Sequence, residues 1–344
     1  MGADVELLEA GSPAPDWDDY VRARPSATFF HLRGWANVLG RTFGYRDCSL
    51  SVRRGGRTCG VLPLMLARNL PSGRSLVSTP FGVYGGICAD DEEAAALLLE
   101  GARTLAERLG VRYVELRNTE AVAGLPVKDL YVTFRRPILP THDENMARIP
   151  RNQRRSIRVG INHGLTSRVG GDDLLEAFYG VYSQSMRNHG TPVFPRRLFA
   201  SLLGEFGPSC RILGVFHEER LVAGVMTFFF RDQVMPYYGG SVRDALHLAA
   251  NDFMYWSLMC HGCDEGFRVF DFGRSKVDSG PYHFKRHWGF EPTRLPYQYL
   301  LVRQRTIPDL SPRNPGFGPA IRIWRRIPLS LTQWIGPKIV RFFP

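Results

Sequence analysis

The sequence predicts an α/β protein built from two tandem copies of one unit, each a central mixed sheet flanked by helices, with a basic tail after them. Three observations predict it. The two halves repeat the same order of words, hairpin, Gly-Gly, amphipathic helix, strand. Apolar residues recur at helical spacing in the long segments and fill short runs bounded by turn residues elsewhere. The length of 344 residues, with 44% hydrophobic and 22% charged, suits two domains that each bury a core.

In the first half, "FFHLRGWANVLGRTFG" reads as helical, and "LSVRRGGRTCGVLPLML" as a hairpin with its tip at "RRGGR". "VYGG" follows as a turn. "DDEEAAALLLEGARTLAERLG" is a helix that Asp90 and Asp91 can cap, with a stripe of Leu98, Ala102, Leu105 and Leu109 and with Gly110 past its end. "VRYVELRN" is the strand after it. The second half opens with helices "DDLLEAFYGVYSQSMRNHG" and "PRRLFASLLGEFG", then the hairpin "CRILGVFHEERLVAGVMTFFF" and the turn "YYGG". The helix "RDALHLAANDFMYWSLMCHGCDEG" carries Ala249, Phe253, Trp256 and Cys260 as a stripe, ends at Gly266, and leads to the strand "FRVFDFGRS". The repeat pairs Gly110 with Gly266, Arg112 with Arg268 and Glu115 with Asp271. The expected division is a first domain over 1–145, a second over 146–302 and a Pro-rich basic appendage over 303–344.

Net charge is +11 and unevenly spread. "ARIPRNQRRSIRVG" holds five arginines and no acid, and residues 301–344 hold eight Arg/Lys against Asp309 alone. Such clusters suit phosphates, RNA or a lipid surface. The six cysteines, at 48, 59, 88, 210, 260 and 263, read as reduced thiols, and "CHGC" lacks the second pair a zinc site needs. No metal is expected. The acidic start has no apolar leader and no run of about 18 apolar residues exists, so the chain reads as cytoplasmic. In the tail, Ile323, Trp324, Ile327, Leu331 and Trp334 recur at helical spacing with Arg322, Arg325 and Arg326 opposite, which points to peripheral contact with the inner membrane face through 320–344.

The words "PRNQRRSIRVGINHGL", "RNHGTPVFPRRLF", "MPYYGG", "AANDFMYWSLM", "FDFGRSKVDSGPYHFKRHWGFEP" and "IWRRIPLSLTQWIGPKIVR" together resemble the FemAB-like branch of the GNAT acyltransferase superfamily, and within it the FemAB proteins associated with exosortase/PEP-CTERM gene systems. The resemblance implies two tandem GNAT-like domains with the active cleft in or beside the second. It implies transfer of an aminoacyl group from aminoacyl-tRNA to an amine of an envelope or exopolysaccharide precursor, with no tightly bound cofactor. It also makes the lysine of the "FK" word, Lys285, a functional position. Two other readings stay open: an acyl-CoA-dependent N-acetyltransferase of an amino sugar, and a catalytically degenerate scaffold at the membrane. The phosphate-binding word of the CoA enzymes is missing from "YYGGSVRDALHLAAND", which disfavours a CoA donor.

Acyl transfer to an amine needs a polarised carbonyl, a proton acceptor and a held donor. Lys285, Asp271 and His283 are the catalytic candidates. Asp271 alternates with Phe270 and Phe272 on an apolar strand, so it is a base or a structural acid paired to an arginine. Lys276 and Arg274 follow a strand end, where ligands bind. Tyr237, Tyr238, Gly239 and Gly240 offer hydroxyls and close backbone approach. Asn251 and Asp252 interrupt an apolar helix, and Arg187 lies in a polar loop. These are the substrate-binding candidates, and Arg151, Arg154, Arg155 and Arg158 are the candidates for phosphate or tRNA.

Overall fold

The computed structural model describes residues 5–9, 15–69, 73–308 and 318–344. In chain order the strands are β1 (Val5–Glu9), β2 (Arg46–Asp47), β3 (Leu50–Arg54), β4 (Arg57–Leu62), β5 (Met65–Asn69), β6 (Gly73–Val77), β7 (Cys88–Ala89), β8 (Tyr113–Arg117), β9 (Val127–Pro137), β10 (Thr166–Gly170), β11 (Cys210–His217), β12 (Arg220–Phe230), β13 (Gln233–Ser241), β14 (Val269–Asp271), β15 (Ser275–Lys276) and β16 (Pro292–Leu301). The helices are α1 (Trp17–Ala23), α2 (Arg33–Phe43), α3 (Glu92–Leu109), α4 (His142–Arg148), α5 (Arg151–Asn162), α6 (Asp172–His189), α7 (Arg196–Phe206), α8 (Ala250–Asp264), α9 (Gly280–His287), α10 (Gly318–Trp324) and α11 (Leu329–Val340).

The chain forms two compact units. Unit 1 comprises 1–131, 294–310 and 341–344, and unit 2 comprises 132–293 and 311–340. This partition differs from the expected one at both ends of the second domain. β9 is divided at Tyr131, and β16 is assigned almost wholly to unit 1, where it pairs antiparallel with β8 (Tyr297 opposite Arg117).

The duplication is visible in topology. In unit 1, β6 and β8 pair parallel and α3 connects them; in unit 2, β13 and β14 pair parallel and α8 connects them. Parallel neighbours require such a crossover. Asp91 caps α3 by accepting from the Ala94 amide, and Gly110 ends it at φ +63°. The α3 stripe packs on Leu50, Val52, Leu62 and Val114 to make the unit 1 core.

Unit 2 runs β10-β11-β12-β13-β14-β9, with α6 and α8 on opposite faces. Successive β13 residues show this: a Cβ at Gly239 would lie 3.6 Å from the Tyr255 hydroxyl of α8, and one at Gly240 only 2.7 Å from Ser185 Cβ of α6. "YYGG" is therefore strand and not the expected turn, because both glycines hold the β12 register. The expected helix over "RDALHLAANDFMYW" is broken: a 3₁₀ turn covers Arg243–Leu248, Ala249 takes φ +52°, and α8 starts after it.

The tail is not an appendage. Close packing places Ile321 beside Gly190 and Gly336 against Val193, and Trp324 is buried. Residues 309–317 of that expectation lie outside the described residues.

Candidate active site

β13 and β14 pair only at Gln233–Val269 and Val234–Phe270, and then part. The cause is local. The β12–β13 register passes from Met226–Tyr238 to Thr227–Pro236, which leaves Tyr237 as an extra residue, and such a bulge bends its strand. Pro236 also has no amide to offer a neighbour. The result is a wedge that opens at the carboxyl ends of two parallel strands, where open α/β sheets bind ligands.

Tyr255 of α8 spans this wedge. Its hydroxyl lies beside Gly239 on β13, and its ring lies 5.0 Å from Phe272, just past β14. Phe284 and Trp288 pack around the same ring. Burial pushes the phenol up to about 12, with the Asp252 charge adding to it, so it stays protonated near neutral pH. Its hydroxyl has no hydrogen-bond partner among the described residues.

Asp252 stands one helical turn earlier on the same helix. Its Oδ1 accepts from Trp288 Nε1 at 3.0 Å and Gln153 Nε2 at 3.1 Å, while Oδ2 has no partner among the described residues. Burial raises this carboxyl and the two hydrogen bonds oppose the rise. A carboxylate with a raised pKa and an unengaged oxygen is chemically a base.

The far lip of the wedge is fixed by Lys285. Its Nζ donates to the carbonyls of Phe272 (2.7 Å), Gly273 (2.9 Å) and Arg274 (3.2 Å). The side chain is 8% exposed and passes over the rings of Phe134 and Phe272. Burial pushes the amine down to about 7; Asp271 works against this and Arg274 with it. As an ammonium, all its donors are taken by main chain. Asp271 is fully buried, accepts from the Gly273 amide at 2.7 Å and from Thr133, and pairs with Arg135 Nε at 3.3 Å. Both groups thus hold the turn after β14.

The remaining expected residues scatter. Arg274 gives the wedge its carbonyl, and Lys276 lies half-buried on β15. His283 is exposed on α9, and Asn251 is half-buried at the start of α8. Tyr237 is the bulged residue. Tyr238 faces the other side of the sheet, packed on Tyr182, Phe194 and Phe199, and burial pushes its hydroxyl well up. Gly240 serves helix packing. Arg187 lies in the last turn of α6 and not in the expected loop, half-buried, donating to Asn188.

Arg151, Arg155 and Arg158 are exposed on α5 and Arg154 is half-buried there. The Gln153–Asp252 bond ties this helix to the start of α8, and Arg151, Arg155 and Arg158 lie on the opposite, solvent-facing side of α5. Sequence reading missed Tyr255, Gln153, Trp288 and the buried Arg136, whose guanidinium lies 4.4 Å over Phe290 and which burial pushes down to about 10. The spacing of Asp252 and Tyr255, three apart on one helix face, was the available signal.

The fold also brings His142 to Cys263 and Asp264, with ligand atoms within 4.8 Å of one another. His142 bonds Asp264 at 2.8 Å, and the Cys263 thiol, which burial pushes up, donates to the Leu139 and Pro140 carbonyls.

Residues 146–286 match the family model described as acetyltransferase (GNAT) domain. The fold of the chain is similar to that of tandem GNAT-like proteins. FemX matches at TM-score 0.69 and 15% identity, covering 87% of this chain and 98% of that one. The C-terminal domain assigned to a lysylphosphatidylglycerol synthetase in Agrobacterium fabrum matches at 0.58 and 17%, covering 85% and 91%. A tandem GNAT protein from the clavulanic acid biosynthesis pathway matches at 0.52 and 13%, covering 88% and 100%. No curated protein matches the sequence. Among the described residues no helix is long and apolar enough to cross a membrane.

Proposed function

We propose that the chain is an acyltransferase that moves an aminoacyl group onto an amine of a cell-envelope or exopolysaccharide precursor, with the β13–β14 wedge as its active site. The observation that carries this reading is the wedge itself, opened by the Tyr237 bulge and spanned by Tyr255 beside Asp252. The acceptor amine attacks the acyl carbonyl carbon while Asp252 takes its proton. The ester bond to the donor breaks, and Tyr255 gives its proton to the leaving oxygen. Lys285 is a positioning residue that fixes the carbonyls of 272–274.

The donor is an ester of RNA in this reading. At the start of α8, where a GNAT domain would take the pyrophosphate of CoA, stand a left-handed Ala249 and the carboxylate of Asp252, both ill suited to a phosphate. The exposed arginines of α5 suit an RNA backbone instead. The FemAB resemblance and the likeness to a protein whose name joins a lysyl group to a lipid support an envelope acceptor. Trp334 and Ile323, 62% and 63% exposed, with Arg322, Arg325 and Arg326 exposed nearby, support contact with an anionic lipid surface through 320–344.

The test mixes the full chain and an envelope extract with either a charged tRNA pool or acyl-CoA, and reads new amides by mass spectrometry. Aminoacyl transfer from tRNA, lost in Tyr255→Phe, is expected. Transfer from acyl-CoA alone would replace the donor, and transfer from neither would overturn the reading.

A further inference from the structure

The structure assigns a second ligand site, in unit 1: we infer that a pocket lined by arginines takes a phosphate ester or diphosphate. The pocket has a volume of about 500 Å³ and is lined by Arg46, Arg68, Arg74 and Arg341, with Tyr45 and Phe342 among its other residues and no acid. Arg46 stands on β2, opposite Leu66 of β5. Arg68 of β5 and Arg74 of β6 are direct cross-strand partners. Like charges placed opposite each other destabilise a sheet, so this pair costs stability unless an anion lies between them.

The fold has acids to spare and does not use them here. Elsewhere in unit 1, Arg24 pairs with Asp90, Arg33 with Asp47, and Arg54 with Asp91 and Glu93. Among the described residues, Arg46, Arg68, Arg74 and Arg341 pair with no carboxylate, and the Asp47 beside Arg46 is held by Arg33 at 2.9 Å. Arg341 is fixed by main chain: its Nη2 donates to the Phe43 carbonyl at 2.9 Å, and its own carbonyl accepts from the Tyr45 hydroxyl. Four guanidinium forks around one concavity match the several oxygens and charges of a phosphate group better than a single carboxylate. This site is independent of the wedge and of the acyl-transfer reading.

The test titrates the full chain with inorganic pyrophosphate by calorimetry and, separately, with vesicles of phosphatidylglycerol in phosphatidylcholine by co-sedimentation. The variants are Arg68→Gln/Arg74→Gln and, as a control on the other basic cluster, Arg155→Gln. Pyrophosphate binding that weakens at least about tenfold in the double variant and not in the control supports the site with a soluble phosphate as its ligand. Vesicle binding lost in the same pattern, without pyrophosphate binding, supports it with a lipid headgroup. The double variant should melt no lower than wild type, because it removes the facing charges. Binding of both probes unchanged by the double variant overturns the inference, as does the absence of both.

Discussion

Replacing Lys285 by Met keeps the aliphatic stem and removes the three donors that hold the turn after β14. The carbonyls of Phe272 and Gly273 are buried, at 2.7 and 2.9 Å from Nζ, and that of Arg274 is partly exposed at 3.2 Å. An orphaned buried carbonyl costs about 1–3 kcal/mol, and water can rescue the third, while removal of a buried amine returns part of the loss. The net expected destabilisation is about 2–4 kcal/mol. Urea unfolding at pH 6, where the amine is protonated and carries all three donors, followed by tryptophan fluorescence with Trp288 packed near the site, should show the midpoint falling by about 0.7–1.3 M for a slope near 3 kcal/mol/M. If Lys285 instead served substrate alone, the midpoint would hold within about 0.5 kcal/mol while transfer collapsed. That outcome would refute the positioning role.

The same lysine predicts a pH dependence. Its folded pKa of about 7 lies below the ordinary 10.5, so the unfolded chain binds more protons between those values. Stability from this group therefore rises with pH across pH 7–10.5, by at most about 1.4 kcal/mol per unit, and is lost as pH falls through 7. The deficit of Lys285→Met should be larger at pH 9 than at pH 7.5, and equal deficits would contradict it. Gly240→Ala drives a Cβ to 2.7 Å from Ser185 and should lower stability by about 1–3 kcal/mol, measured by urea unfolding. Replacing Arg151, Arg155 and Arg158 together by Ala should reduce the slope of log affinity against log salt for tRNA by about 2–3, read by filter binding at several salt concentrations. An unchanged slope would remove α5 from the RNA surface.

Much of the fold is legible in the sequence because its signals are local. Asp91 and Gly110 bracket α3, and the hairpin tips fall where glycine and charged residues cluster. The twin positions Glu115 and Asp271 both engage an arginine, the first bonded to Arg117 and Tyr299, the second to Gly273 and Arg135. What stayed hidden depends on register and distant packing. Nothing local marks Tyr237 as a bulge, and the alternation it creates decides that Gly239 faces Tyr255 while Gly240 faces Ser185. "YYGG" resembles a turn until the β12 register is known. Lys285 is legible as important, but its partners are carbonyls, which leave no trace in side-chain identity. Asp252 is legible as a break in an apolar helix, whereas Tyr255 reads as one more aromatic among core residues.

Asp252→Asn tests the wedge most directly, because it keeps the carboxamide oxygen that accepts from Trp288 and Gln153 and removes the base. Single-turnover transfer from charged tRNA to the envelope acceptor should slow by about 10²–10⁴-fold with donor affinity unchanged. Transfer at the wild-type rate in a folded Asp252→Asn chain would place the chemistry elsewhere.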